Sequence, residues 1–228
     1  MISENLQKTK QQLSENVTLV AVSKTKPVSD LMEAYNAGQR IFGENYVQEL
    51  VDKQPLLPDD VEWHFIGHLQ SNKVKYIASF VSLIHGVDSL KLLKEIDKQA
   101  KKHNRIIDCL LQIHIAEEET KFGLDEEELD KMLKQVQNDK DTFQNVKIIG
   151  LMGMATFTDD ENQIKKEFQY LKSVFDTYKK LKTENFQPTT LSMGMSGDYK
   201  IAIECGSTMI RIGSNIFGKR SPTPKGDI

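Results

Sequence analysis

Short apolar runs punctuate the chain at 18–23, 40–42, 62–66, 81–85, 107–113, 147–152, 189–192 and 208–212. Each is too short for a helix and reads as a strand. Between them lie longer segments of helical period, near 28–37, 45–54, 70–79, 89–102, 126–138, 161–182 and 198–204, with one more near 3–14 ahead of the first strand. The clearest carries Ile164, Phe168, Leu171, Val174, Phe175, Tyr178 and Leu181 at three- and four-residue steps, and Asp159 or Asp160 can cap its start. Leu129, Met132, Leu133 and Val136 form a similar stripe behind a capping box of Asp125 and Glu128.

Eight strands alternating with helices predict a (β/α)8 barrel, an α/β fold of the TIM type. A doubly wound open sheet that binds a dinucleotide would need a glycine-rich first turn. The first strand is followed instead by Ser23-Lys24-Thr25-Lys26-Pro27, and Met193-Gly194-Met195-Ser196-Gly197 lacks the spacing. No linker divides the pattern, so one domain is expected over 1–220, with a disordered tail at 221–228.

Composition leaves this picture in place. Of 228 residues, 39% are hydrophobic and 28% charged, enough for a sizeable core. The net charge is −3 and no basic stripe stands out, which argues against a nucleic-acid partner. Cys109 and Cys205 form no CxxC pair. The N-terminus lacks the apolar core of a signal peptide, and no apolar stretch reaches transmembrane length. A cytoplasmic protein without a membrane partner is expected.

In a barrel of this kind the chemistry sits at the C-terminal strand ends. Lys24 closes the run Leu19-Val20-Ala21-Val22-Ser23. Alone, it reads as a lysine snorkelling from a strand end. Burial would instead favour a neutral, nucleophilic amine suited to Schiff-base chemistry. The other ends carry Glu44 and Asn45, His68, His85, His114, Met152 and Met154, Ser196 and Gly197, and Arg211 with Gly213 and Ser214. His85 and His114 read as histidines satisfied by backbone, Glu44 as a helix cap, and Gly43, Gly67 and Gly86 as turn residues.

The last two ends suggest more. Ser196-Gly197 and Gly213-Ser214 offer small residues and backbone N–H groups after strands seven and eight, a common place for a barrel phosphate site. Arg211 shares a strand face with Gly213 and points an inward cation at the mouth, where an anion or a pyridine nitrogen could receive it. A metal is a poor alternative: His64 and His68 share a face but stand about 13 Å apart along a strand.

These motifs form an ordered set: Ala21-Val22-Ser23-Lys24-Thr25-Lys26-Pro27, Phe42-Gly43-Glu44-Asn45, the run from Trp63 to Lys73, Gly150-Leu151-Met152-Gly153-Met154, the run from Leu191 to Asp198, and Arg211-Ile212-Gly213. The set resembles the pyridoxal-phosphate homeostasis protein family, itself similar to the N-terminal barrel domain of alanine racemase. The resemblance implies pyridoxal 5'-phosphate as cofactor, held on Lys24 as an internal aldimine. It implies that Ser196, Gly213 and Ser214 bind the phosphate, that Arg211 faces the pyridine nitrogen, and that Asn45, His68 and Met154 line the ring. Lys26 and Lys121 match lysines of the family pattern without an assigned role.

Little sequence follows Gly213, whereas the racemases carry a second, β-rich domain that closes the site. The expectation is a non-catalytic, monomeric carrier that buffers the cofactor and hands it to apo pyridoxal-phosphate enzymes. An amino-acid racemase with Lys24 as base is the rival, and a phosphosugar isomerase using the phosphate site without a cofactor is a third reading.

Overall fold

The computed structural model describes residues 1–118, 121–139, 142–181 and 183–218; the tail expected at 221–228 lies outside them. Eight parallel strands close into a barrel in chain order: β1 (Thr18–Val22), β2 (Ile41–Glu44), β3 (Glu62–Phe65), β4 (Leu83–Val87), β5 (Ile107–Gln112), β6 (Val146–Met152), β7 (Phe186–Met195) and β8 (Met209–Ile212). β8 returns beside β1, with Val20 opposite Arg211. That closure brings the Lys24 strand and the Arg211 strand together.

The surrounding helices are α1 (Ile2–Gln11), α2 (Val28–Asn36), α3 (Val47–Lys53), α4 (Val74–Ile77), α5 (Leu90–Lys102), α6 (Glu126–Asn138), α7 (Glu161–Tyr178), α8 (Tyr199–Glu204) and α9 (Ser214–Phe217). Their apolar stripes and the outward faces of the strands make one continuous core. On α7, Phe168 and Leu171 are fully buried, each contributing about 1.5–3 kcal/mol. Asp160 caps α7 by accepting from the N–H groups of Asn162 and Gln163, and Asp125 and Glu128 form the expected box at α6.

The helix expected over 70–79 is shorter. It is a 3-10 turn, Ser71–Lys73, running into the single turn of α4. Ser71 and Asn72 favour such local turns over a regular helix, and only Val74 and Ile77 supply a buried stripe. β2 and β4 run two residues past the apolar runs that announce them, because ladder pairing with β3 and β5 continues through Glu44 and Val87. β7 is ten residues long, and its polar Gln187 and Thr189 hide half of it from a hydrophobic reading.

Inside the barrel, Val20, Leu83, Leu110, Met152 and Met209 form a small apolar plug. Above it, one step toward the C-terminal ends, lie four buried polar side chains: His64, His85, Ser192 and Arg211. They separate the plug from the mouth. Among the described residues no helix is long and apolar enough to cross a membrane.

Candidate functional site

A cavity of about 430 Å³ opens at the C-terminal end of the barrel, between β1, β6, β7 and β8. Lys24 and Lys26 reach it from the turn after β1, Asn45 from β2, Met154 and Thr156 from the loop after β6, Ser196, Gly197 and Asp198 from β7, and Arg211, Gly213 and Ser214 from β8. Eight of the nine residues singled out in the sequence line it. The exception is His68. The chain turns away at Gly67, where an added Cβ would stand 2.2 Å from the carbonyl oxygen of Asn45. His68 then pairs with Asp88 at 3.2 Å and stacks on Phe122, nearly half exposed.

Lys24 is half-buried in the tight turn that follows β1. Lys26 donates to the carbonyl of Phe217 at 2.8 Å, tying this turn to α9. The loops after β7 and β8 are joined as well: Gly213 N–H donates to Ser196 Oγ at 3.2 Å, and Asn215 donates to the Ser196 carbonyl. Asp198 accepts from Met195 N–H, and burial raises its carboxyl above the usual range. Thr156 is held by the buried Glu167 of α7, which accepts from both its N–H and its hydroxyl.

Arg211 is buried and donates to the carbonyl and hydroxyl of Ser192 and to the carbonyl of Gly153. Burial lowers its pKa to about 10, so it remains a cation at neutral pH. Behind it, Ser192 Oγ accepts from Arg211 at 2.6 Å and is hydrogen-bonded to His85 Nδ1 at 3.2 Å, and His85 Nε2 is hydrogen-bonded to His64 Nδ1 at 3.1 Å. Burial depresses both histidines, His64 to about 3, which keeps both rings neutral. This corrects one expectation: His85 is satisfied by side chains rather than backbone. His114 does meet a backbone oxygen, that of Glu118.

A second buried polar group sits behind the β1–β2 wall. Glu44 is no helix cap: its carboxylate is fully buried, accepting from Ser23 Oγ at 2.6 Å and from Lys53 Nζ at 2.8 Å. Lys53 also donates to Glu49 at 2.6 Å and to the Ser23 carbonyl at 2.8 Å. Among the described residues, Glu44 Oε2 and Asn45 Oδ1 are buried without a hydrogen-bond partner, and no group of three or more His, Cys, Asp and Glu side chains could hold a metal ion.

The mouth thus combines a primary amine, an inward guanidinium and two joined glycine- and serine-bearing loops. That set can condense with a carbonyl compound that also carries an anionic group. The family model described as "Alanine racemase, N-terminal domain" matches residues 1–221. The chain is 41% identical over 227 residues to the pyridoxal phosphate homeostasis protein of Pasteurella multocida, covering 96% of this chain and 94% of that one.

The chain belongs to the pyridoxal phosphate homeostasis protein family.

A member from Schizosaccharomyces pombe is 43% identical, covering 92% of this chain and 86% of its own. PipY of Synechococcus elongatus PCC7942, solved with PLP bound, is 36% identical and superposes with a TM-score of 0.86, covering 96% of this chain and all (100%) of PipY. Family membership accords with the ordered motifs from Lys24 to Gly213, and the closed parallel barrel is the fold they imply.

Proposed function

We propose that this chain binds pyridoxal 5'-phosphate through the ε-amine of Lys24 and buffers or delivers it in the cytoplasm without turning over a substrate. The observation that carries this reading is convergence. Lys24, Arg211 and the joined Ser196–Gly197 and Gly213–Ser214 loops meet on one cavity. The residues fit the group: Asn45 Oδ1, buried and unpartnered among the described residues, belongs to a residue on the cavity wall.

When bound, pyridoxal phosphate supplies a reactive aldehyde and an electron-accepting ring. Lys24 holds it covalently. Ser196, Gly197, Gly213 and Ser214 bind its phosphate, and Asn45 and Met154 line its ring. Arg211, a cation that only donates, keeps a neighbouring pyridine nitrogen unprotonated and so weakens the ring as an electron sink. His68, by its position, is left out of this set.

One feature favours a carrier over a racemase: the relatives of 41% and 43% identity are named for homeostasis.

Borohydride reduction of the loaded protein, followed by peptide mapping, tests the site. The label is expected on Lys24 and absent from Lys24→Ala; a label on Lys26 overturns the assignment. Single-enantiomer amino acids in deuterated water test the absence of chemistry, and turnover at about 1 s⁻¹ or faster overturns the carrier reading.

A further inference from the structure

The residue that follows Lys24 takes a backbone conformation that L-amino acids avoid. Lys26 N–H donates to the Ser23 carbonyl at 3.0 Å, closing a β-turn with Lys24 and Thr25 at its centre. Thr25 has φ = +64°. A positive φ at the third turn position is the type II pattern, and that position ordinarily takes glycine. A β-branched residue there is a steric outlier that persists only if its surroundings hold it.

The surroundings are the ion cluster behind β1 and β2. Glu49 Oε1 accepts from Thr25 N–H at 2.5 Å, on one side of Lys24. Glu44 accepts from the Ser23 hydroxyl and Lys53 donates to the Ser23 carbonyl, on the other side. Lys53 joins the two carboxylates and uses all three of its donors on Ser23, Glu44 and Glu49. Three ionisable side chains from β2 and α3 thus converge on the two residues that flank Lys24.

We propose that Glu44, Glu49 and Lys53 are positioning residues that clamp the strained turn presenting Lys24 to the cavity. They act through Ser23 and Thr25. What Lys24 does once presented rests on the function proposed above; the clamp itself does not. With the clamp closed, the amine is held where it condenses with an aldehyde, losing water. Borohydride then delivers hydride to the carbon of the C=N bond, and solvent supplies the proton on nitrogen.

Glu49 is the informative position, because its side chain is 21% exposed and its replacement leaves no buried charge at that position. Glu49→Ala removes the acceptor from Thr25. Trapping of pyridoxal phosphate on Lys24 by borohydride is expected to slow about tenfold, the loss of one charge-assisted hydrogen bond. Glu49→Gln keeps an acceptor oxygen and is expected to stay within about twofold of the wild type. Adding Thr25→Gly to Glu49→Ala removes the strain that needs clamping and is expected to restore most of the rate. That rescue separates positioning from general destabilisation, since Thr25→Gly adds no contact.

Trapping by Glu49→Ala at the wild-type rate overturns the clamp. So does a Glu49→Gln rate as low as that of Glu49→Ala, or failure of Thr25→Gly to rescue. A wild type that traps no pyridoxal phosphate removes the function proposed above. The clamp is then judged from amide hydrogen exchange at Thr25 in the unloaded chain. Exchange accelerated about tenfold by Glu49→Ala supports it, and unchanged exchange overturns it.

Discussion

Two buried polar groups flank the mouth of this barrel, and they handle charge in opposite ways. Behind the β1–β2 wall, Glu44, Glu49 and Lys53 are arranged as an ion cluster. Inside the barrel, His64, His85 and Ser192 are neutral and form a hydrogen-bonded chain that ends at the cation Arg211. The ion cluster lies against α3, where Glu49 still reaches solvent. The interior group has no such outlet, and burial depresses both histidines so far that they stay uncharged. Opposite charges are paired where a turn must be held, whereas inside the barrel a lone guanidinium is held by neutral acceptors.

The largest effect expected is from opening the ion cluster. Lys53→Ala leaves the Glu44 carboxylate, already short of a partner at Oε2, buried without its cation. Breaking a buried pair in this way costs about 3–5 kcal/mol. Urea unfolding of Lys53→Ala against wild type measures it. A loss below about 1 kcal/mol would place Lys53 with ordinary surface pairs and erase the contrast.

The two groups also give stability opposite dependences on pH. His64 has a folded pKa of about 3 against 6.5 when unfolded. The unfolded chain binds more protons between those values, so stability falls as pH drops below 6.5, by about 1.4 kcal/mol per unit. From pH 6.5 to 5 that amounts to about 2 kcal/mol. His85 adds in the same direction; His64 and Arg211 are the charged or titratable groups facing it. Glu44 works the other way: burial raises its carboxyl, so its contribution falls as pH rises through the folded value. His64→Gln should flatten the acid slope, and Glu44→Gln should leave it at least as steep. Equal slopes in His64→Gln and wild type would show that His64 is not the neutral group described.

Much of this was legible in the sequence, and its gaps have physical causes. The eight apolar runs and the α7 stripe repeat locally, so they announce the barrel. Lys24 and Arg211 stand out because each is a charge in or beside an apolar run. The two polar groups were not visible because no local period joins their members. His64 and His85 lie 21 residues apart and meet only through the β3–β4 pairing. Glu44 and Lys53 are nine apart and look like the two ends of a solvated helix. Glu167 stands three residues after Ile164 and four before Leu171, on the buried stripe of α7, so its spacing already marked it as a charge on the core face. Gly67 reads as a turn glycine, yet its tight approach to the Asn45 backbone is what turns His68 away from the cavity.

The smallest effect expected lies inside the barrel, at Ser192. Its hydroxyl is the only relay between the cation and the neutral rings among the described residues. Ser192→Ala leaves Arg211 with the carbonyls of Ser192 and Gly153, so the guanidinium stays held. His85 Nδ1 loses its hydrogen-bond partner at a fully buried position, a cost of about 1–2 kcal/mol for one unsatisfied neutral polar atom. Urea unfolding at neutral pH reads that cost. The ring can respond by moving its hydrogen to Nδ1, which would reverse the bond to His64. Nitrogen chemical shifts of His85 and His64 distinguish the tautomers directly. An Nε2-protonated His85 is expected in the wild type, with the Ser192 hydroxyl donating to Nδ1; an Nδ1-protonated His85 there would show that the hydroxyl accepts from both Arg211 and the ring.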